Sequence, residues 1–164
     1  MNLITLRPAN EADFDSILRL NDAEVQQTSA MDAERLHRLH RLSWYHRVVS
    51  VDGTVVAFLL AMRNDAPYVN ENFAWFAARY TTFVYVDRIV VAASRGRQQL
   101  GSLLYRDLFA HARAEEVLFV TCEYNLFPEN EPSRRFHNKF GFKEVGTLWG
   151  SSRTKLVSLQ VAQT

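Results

Sequence analysis

Residues 90–104 have the sequence Val-Val-Ala-Ala-Ser-Arg-Gly-Arg-Gln-Gln-Leu-Gly-Ser-Leu-Leu. Leu100, Leu103 and Leu104 recur at helical spacing, so a helix with one apolar face begins near the end of this stretch. The preceding residues, 81–91, are rich in aromatic and β-branched side chains, as expected of a buried strand. A strand that enters a helix through a short loop presents free backbone N–H groups at the start of that helix. Phosphate is the expected ligand, because two arginines in the loop add positive charge.

Composition restricts the classes to which the chain can belong. A length of 164 residues suits one domain with its own core, and we expect a single domain over 1–164. Lys and Arg total 19 and Asp and Glu 18, and the net charge of +1 gives no general attraction to nucleic acid or anionic membrane. The lone Cys122 excludes an internal disulfide and a cysteine-rich metal site. Without a signal peptide or an apolar run of about 20 residues, we expect a cytoplasmic protein.

The hydrophobic pattern predicts an alternation of strands and helices along the chain. In the first half we expect a strand at 3–7, helices after Asn10 and Asp32, and a hairpin of 47–51 and 55–62 around Asp52-Gly53. An aromatic insertion follows at 64–80, with a helix near 73–79. In the second half we expect a strand at 81–91, a helix at 98–113, a strand at 117–125, a helix from Asn130 to Gly141, and strands at 142–148 and 153–160. The strands at 81–91 and 117–125 should be parallel, because a helix lies between them. The expected class is α/β (α+β), with a mixed central sheet flanked by helices.

Two motifs in this order resemble those of the GNAT N-acetyltransferase superfamily. Residues 95–101 resemble the Arg/Gln-x-x-Gly-x-Gly/Ala loop that binds the pyrophosphate of acetyl-CoA in that family. Residues 130–142 resemble the family's Asn-x-x-Ala/Ser-x-x-x-Tyr-x-x-x-Gly-Phe motif. Two half-motifs in the family's order are far more specific than either alone. The resemblance covers nearly the whole chain. Within the superfamily, the chain looks most like a poorly characterised bacterial group. Membership would imply a fold whose two central parallel strands splay apart.

The loop departs from the family pattern in a way that leaves two registers open. If Gly101 is the final small residue, Gln99 stands where an inner Gly is usual and Gly96 where Arg or Gln is usual. A shift of one residue instead puts Arg95-Gly96 in the family's Arg-Gly place and lengthens the loop. In either register, Gln98 and Gln99 must take a conformation that glycine often supplies, unless the turn avoids positive φ.

The resemblance assigns the binding of acetyl-CoA to residues in both motifs and at the end of the central strand. Unpaired backbone groups of that strand would bond the amides of the pantetheine arm as a surrogate strand does. The cofactor-binding candidates are Ile89, Val90, Val91, Arg95, Gly96, Arg97, Gln98, Gln99, Leu100, Gly101, Ser102, Asn130, Ser133 and Phe136.

The resemblance also implies an activity, the transfer of acetyl from acetyl-CoA to a primary amine by direct attack, without a metal. Direct attack needs a base for the amine and a proton for the departing thiolate. His137 stands at the usual Tyr position and is the general-acid candidate, with a satisfied helix histidine as the alternative. Asp87 and Glu123 are the candidate bases. A water chain, or an ion pair that occupies Asp87 with an arginine, is the alternative.

The acceptor is expected to be a small-molecule amine or a peptide N-terminus, and a homodimer is compatible with the resemblance. Aromatic residues at the density of the 64–80 insertion are more often core than pocket, yet this segment precedes the central strand. The acceptor-side candidates are Asn21, Glu24, Tyr68, Asn72, Trp75 and Tyr80.

Four other interpretations receive less support from the sequence. A GNAT-fold sensor that binds acyl-CoA without catalysis is the main rival, and the missing loop glycines and the missing Tyr favour it slightly. Cys122 as a nucleophile is less expected than Cys122 as core, and His37 with His40 as a metal site is less expected than structural histidines. An arginine-rich helix at 32–45 offers nucleic-acid binding, against which the near-neutral charge argues.

Overall fold

The structure, a computed structural model, describes all residues from 1 to 164 and contains seven strands and five α-helices. The strands are β1 Ile4–Pro8, β2 Tyr45–Val51, β3 Thr54–Arg63, β4 Phe83–Val91, β5 Phe119–Phe127, β6 Lys143–Trp149 and β7 Leu156–Gln163. The helices are α1 Phe14–Ala23, α2 Ala33–Leu42, α3 Glu71–Ala77, α4 Leu100–Ala114 and α5 Glu131–Lys139. The predicted order of elements is confirmed. No helix is both long enough and apolar enough to cross a membrane.

The strands form one mixed sheet in the order β1-β2-β3-β4-β5-β7-β6. The pairs β1-β2, β2-β3, β5-β7 and β6-β7 are antiparallel, and β4-β5 is parallel as predicted. The parallel register joins Phe83–Tyr85 to Phe119–Thr121. Both strands continue past these residues, as expected of two splayed parallel strands.

Two compact units make up the chain. The first comprises 1–62 and 86–110, and the second comprises 63–85 and 111–164, so that residues of β4 belong to both. The expectation of one domain over the whole chain stays a prediction.

The first unit is built on the hairpin of β2 and β3. Asp52 and Gly53 have φ values of 50° and 84°, the left-handed pair that a two-residue hairpin turn needs. Helix α2 begins after Asp32, whose side chain accepts from the backbone N–H of Arg35. The predicted end of α2 near Tyr45 is wrong, because Tyr45 pairs with Ala61 as the first residue of β2 and is 3% exposed. Tertiary pairing therefore overrides helical spacing at this point.

The second unit contains the aromatic insertion, whose helix α3 begins after Asn70. The Asn70 side chain accepts from the backbone N–H of Phe73, which satisfies one donor of the first helical turn. Phe73 and Phe76 are buried and contact the rings of Phe83 and Tyr85 on β4. The insertion thus packs as core against the first residues of β4.

Candidate active site

The loop before α4 contains one residue with a positive φ, the conformation that the sequence led us to expect at Gln98 and Gln99 unless the turn avoids it. Gln99 has a φ of 56°, in the left-handed region, whereas Gly96 has a φ of −58°. Gln99 therefore adopts the conformation that glycine more often supplies. Residues 96–99 are exposed, and Arg95 ends a short 3-10 turn from Ala93.

Helix α4 begins at Leu100, directly after the left-handed residue. Its first backbone bond runs from the N–H of Leu103 to the carbonyl of Gln99, at 3.1 Å. The N–H groups of Leu100, Gly101 and Ser102 precede that bond and have no partner within the helix. Together with the positive end of the fifteen-residue helix and the charges of two loop arginines, they suit an anion.

The end of β4 supplies the remaining cofactor candidates of the first unit. Val90 is buried, whereas Ile89 and Val91 are half-buried. The N–H of Ala92, the next residue, donates to the carbonyl of Val56 at 2.8 Å, which holds the strand end against β3.

Asp87, one of the two candidate bases, forms a buried ion pair with Arg88. The Nε of Arg88 lies 2.9 Å from Oδ2 of Asp87, and the two side chains are 2% and 3% exposed respectively. This is the ion pair that the sequence left open as the alternative to catalysis. Asp87 as the base stays a prediction, which its buried ion pair with Arg88 disfavours.

Arg88 also fixes the segment that follows α1. Its guanidinium donates to Oδ1 of Asn21 at 2.9 Å and to the carbonyl and hydroxyl oxygens of Ser29 at 3.0 and 3.1 Å. Asn21 is 0% exposed and donates to the same Ser29 carbonyl at 2.9 Å. Contact of Asn21 with an acceptor stays a prediction, which its burial disfavours, and Glu24 lies half-buried in the same segment.

Glu123, the other candidate base, lies on β5 and is only half-buried. The hydroxyl of Tyr85 donates to its carboxylate, at 2.8 Å from Oε1 and 2.7 Å from Oε2. No role was predicted for Tyr85 from the sequence. The signal that would have revealed it is the parallel register, since Tyr85 pairs with Thr121 and side chains two residues apart on a strand share a face.

His137, the general-acid candidate, is 3% exposed within α5. Its Nδ1 lies 2.7 Å from the carbonyl oxygen of Ser133, so this nitrogen carries the proton and donates. Burial lowers the pKa of His137 to about 4, and the bond to Ser133 offsets this in part. At neutral pH the imidazole is therefore uncharged. Its role as general acid stays a prediction, and the structure resembles the alternative of a satisfied helix histidine.

The remaining candidates in α5 already have intrahelical partners. Oδ1 of Asn130 accepts from the N–H of Ser133 at 3.3 Å, which makes Asn130 the helix cap. The hydroxyl of Ser133 lies 3.2 Å from Nδ1 of His137, and the ring of Phe136 packs 5.4 Å from that of Phe140. Gly141 follows the helix with a φ of 80°, which ends it as predicted.

The acceptor-side candidates of the insertion pack within the second unit. Tyr80 contacts Phe119 at 5.2 Å between ring centroids, and Asn72 is half-buried. Trp75 lies against Gly146 so closely that a Cβ there would be 2.7 Å from the indole ring. Tyr68 is half-buried, with its ring centroid 6.4 Å from that of Tyr85. Their role in acceptor binding stays a prediction.

Two of the three histidines in the first unit, His40 and His46, form a hydrogen-bonded pair, and the third, His37, lies 3.9 Å from Oε1 of Glu11. Nδ1 of His40 lies 2.8 Å from Nδ1 of His46, a hydrogen bond in which one ring donates and the other accepts. Burial, and then the charge of His40, lower the pKa of His46 to about 3. No group of three or more His, Cys, Asp or Glu side chains is arranged to hold a metal ion.

Comparison with known families gives one match that covers most of the chain. The model of the acetyltransferase (GNAT) family matches residues 11–142. A curated relative, phosphinothricin N-acetyltransferase of Streptomyces coelicolor, is 29% identical over 154 residues, which are 88% of this chain and 84% of that protein.

Solved structures share the same fold at low sequence identity. Ard1 from Thermoplasma volcanium has a TM-score of 0.80 and 21% identity, covering 98% of this chain and 97% of that chain. The structure of yncA from Salmonella typhimurium with its cofactor acetyl-CoA has a TM-score of 0.75 and 17% identity, covering 98% and 94%. At this identity the likeness supports the fold alone.

Proposed function

Because the chain belongs to the GNAT family of acetyltransferases, we propose that it transfers the acetyl group of acetyl-CoA to a primary amine by direct attack. Acetyl-CoA-dependent N-acetyl transfer is the activity of this family. The primary amine and the direct attack are the proposed parts.

The observation that carries the proposal is the start of α4. A loop with the half-buried Arg95 and the exposed Arg97 leads through the left-handed Gln99 into the N-terminus of a fifteen-residue helix. Backbone N–H groups, the positive end of the helix and the guanidinium charges all favour a diphosphate such as that of acetyl-CoA. In the second unit, Asn130, Ser133 and Phe136 are the proposed contacts of α5 with the cofactor.

Glu123 is the proposed general base. The neutral amine nitrogen attacks the thioester carbonyl carbon, so an N–C bond forms and the carbonyl becomes an oxyanion. Collapse of this intermediate breaks the C–S bond, and the sulfur leaves with the electron pair. The carboxylate of Glu123 accepts the proton that the nitrogen loses. The charge of Asp87 is paired with that of Arg88, whereas a tyrosine hydroxyl donates to Glu123, and this difference supports Glu123 as the base.

The thiolate needs no strong acid to leave. A thiol has a pKa of about 8.5, so the departing sulfur is a stable anion close to neutral pH and takes its proton from water. His137 is uncharged under these conditions, because its pKa is lowered to about 4. A proton from His137 is therefore not required for the thiolate to leave, and the role of His137 as general acid stays a prediction.

The test is the release of CoA thiol from acetyl-CoA in the presence of single primary amines. Phosphinothricin is the first acceptor to try, beside free amino acids and a short peptide with an unblocked N-terminus. We expect turnover with at least one of them and saturation by micromolar to millimolar acetyl-CoA. A product mass increased by one acetyl group on nitrogen would confirm the reaction.

A matched pair of variants tests the loop. The double variant Arg95→Ala/Arg97→Ala should raise KM for acetyl-CoA about tenfold or more, because two charge-assisted contacts to phosphate are lost. Arg38→Ala removes an exposed arginine from α2 and should leave KM unchanged. If acetyl-CoA raises the melting temperature but no amine gives turnover, the catalytic proposal fails and the acyl-CoA sensor is supported.

A further inference from the structure

The hydroxyl of Tyr85 bridges both oxygens of Glu123 in the second unit. The two distances, 2.8 Å to Oε1 and 2.7 Å to Oε2, are those of a hydrogen bond to a charged acceptor. Tyr85 is 0% exposed, whereas Glu123 is half-buried. A fully buried phenol thus contacts both carboxylate oxygens of a half-buried residue.

The ring that carries this hydroxyl is held by the aromatic insertion. Its centroid lies 5.7 Å from that of Phe73, 6.1 Å from that of Phe76 and 6.4 Å from that of Tyr68. Aromatic contacts at these distances fix a ring in one orientation. Because α3 supplies two of the three rings, the insertion determines where the Tyr85 hydroxyl lies.

The insertion is anchored in turn at its outer side. The Trp75 ring packs directly on the backbone at Gly146 of β6, and the guanidinium of Arg79 lies 3.9 Å from the Trp75 ring centroid. The Asn70 cap fixes the start of α3. Displacing the Tyr85 ring would require these contacts to change together.

The backbone register brings the two side chains to the same face. Tyr85 is the last residue of β4 in the parallel register and lies opposite Thr121. The hydroxyl of Thr121 donates to the carbonyl of Val84 at 3.2 Å, and Glu123 follows two residues later, opposite Leu159 of β7. The carboxylate is therefore supported by strand pairing on the β7 side and by a phenol on the β4 side.

We propose that Tyr85 is the positioning residue of Glu123, an inference that rests on the proposed function with Glu123 as base. A carboxylate that accepts a hydrogen bond keeps its charged form and a fixed orientation. The phenol stabilises the anionic base and holds the carboxylate in one orientation. The aromatic insertion acts on the reaction through Tyr85.

Other titratable groups surround this pair. Tyr68 contacts the Tyr85 ring from the segment before α3, and Tyr80 contacts Phe119 on the face of β5 that carries Glu123. Cys122 and Tyr124 flank Glu123 on β5 and point to the opposite face by strand alternation. Asp87 follows Tyr85 by two residues on β4, with its charge paired to Arg88.

The variant Tyr85→Phe tests the proposal, because it keeps the packed ring and removes the hydroxyl. We expect kcat to fall about tenfold with little change in KM for acetyl-CoA. The acid limb of the kcat/KM profile should move to higher pH by about one unit, since the carboxylate loses a donor. A ¹³C NMR titration of the Glu123 carboxyl should show the same upward shift of its pKa without any acceptor.

The first unit offers a matched control in Tyr45. Its hydroxyl also donates to a carboxylate, 2.8 Å from Oδ2 of Asp107, and it is 3% exposed. Tyr45→Phe removes the same kind of bond from a site with no proposed role in catalysis. We expect a comparable change in melting temperature and no movement of the acid limb.

The outcomes separate this proposal from the proposed function. A wild-type chain that acetylates no amine contradicts the function and the positioning role together. An active wild type whose pH profile is unchanged in Tyr85→Phe overturns the positioning role alone. An acid limb that survives in Glu123→Gln also overturns it, because the base is then elsewhere. Failure of Tyr85→Phe to fold, while Tyr45→Phe folds, would make the hydroxyl structural and overturn it as well.

Discussion

Asp87 and Glu123 are the two carboxylates that the sequence offers as candidate bases, and their surroundings differ sharply. Asp87 is 3% exposed in its side chain and pairs with the fixed charge of Arg88. Glu123 is half-buried, and a neutral tyrosine donates to it. A cation compensates the charge of a buried carboxylate, whereas a phenol orients a carboxylate without neutralising it. The two carboxylates thus have partners of different charge, and Glu123 as the base is the proposal that follows from this contrast.

The variant Glu123→Gln tests this contrast with the largest expected effect on activity. An amide cannot accept the amine proton, so kcat/KM should fall by a factor of about 10² to 10⁴. Thiol release measured from pH 6 to 9 would show the loss, together with the disappearance of the acid limb. A variant with wild-type activity would remove Glu123 from the mechanism.

Acid unfolding tests the burial of two histidines, His46 and His137. The pKa of His46 is lowered to about 3 and that of His137 to about 4, both chiefly by burial. The unfolded chain therefore binds more protons below pH 6.5, and stability is lost as the pH falls from that value toward 4 or 3. The expected loss at pH 4 is about 3 kcal/mol for each histidine, measured by urea unfolding at pH 7 and pH 4.

A variant of one histidine provides the control for that titration. His137→Phe keeps an aromatic side chain in α5 and removes one of the two depressed sites. This variant should remove about half of the contribution that the two histidines make to the difference in unfolding free energy between pH 7 and pH 4. Equal stability of the wild type at both pH values would contradict the burial of the uncharged rings.

We expect the variant Asp87→Asn to have a smaller effect, which falls on stability more than on catalysis. Loss of the carboxylate leaves Arg88 with Asn21 and Ser29 as partners, and the chain should lose about 2 kcal/mol of stability. The acid limb of the pH profile should stay in place. Should that limb vanish in Asp87→Asn and persist in Glu123→Gln, the two carboxylates would exchange roles.

The smallest expected effect is at Gln99, in the loop before α4. A φ of 56° costs a glutamine about 1 kcal/mol relative to glycine, so Gln99→Gly should bind acetyl-CoA as well as the wild type or slightly better. Gln99→Val should bind more weakly, because β-branched residues tolerate positive φ poorly. Isothermal titration of acetyl-CoA into the three proteins would rank them. A tightly binding Val variant would show that the turn does not form the site.

Much of the fold was predictable because its signals are local. The Asp52-Gly53 hairpin, the caps at Asp32 and Asn130 and the terminal Gly141 follow from backbone geometry within a few residues. Element ends were less predictable, as at Tyr45, because strand pairing with a distant residue decided them. Of the candidate site, the loop conformation at Gln99 followed from the same local reasoning.

The sequence by itself determined the order of elements, the family and the residue types that are available for chemistry. Motif spacing and periodicity are properties of neighbouring residues, and the chain carries them before it folds. Only the tertiary structure decided that Asp87 faces Arg88, that Asn21 is buried under the loop it holds, and that Tyr85 reaches Glu123. Asp87 and Arg88 are neighbours in the sequence, but the contacts of Arg88 with Asn21 and of Tyr85 with Glu123 join distant residues. Burial and partner charge depend on such contacts in space. Tyr85, which no local pattern identified, thus lies on the strand that leads into residues 90–104, a few residues before them.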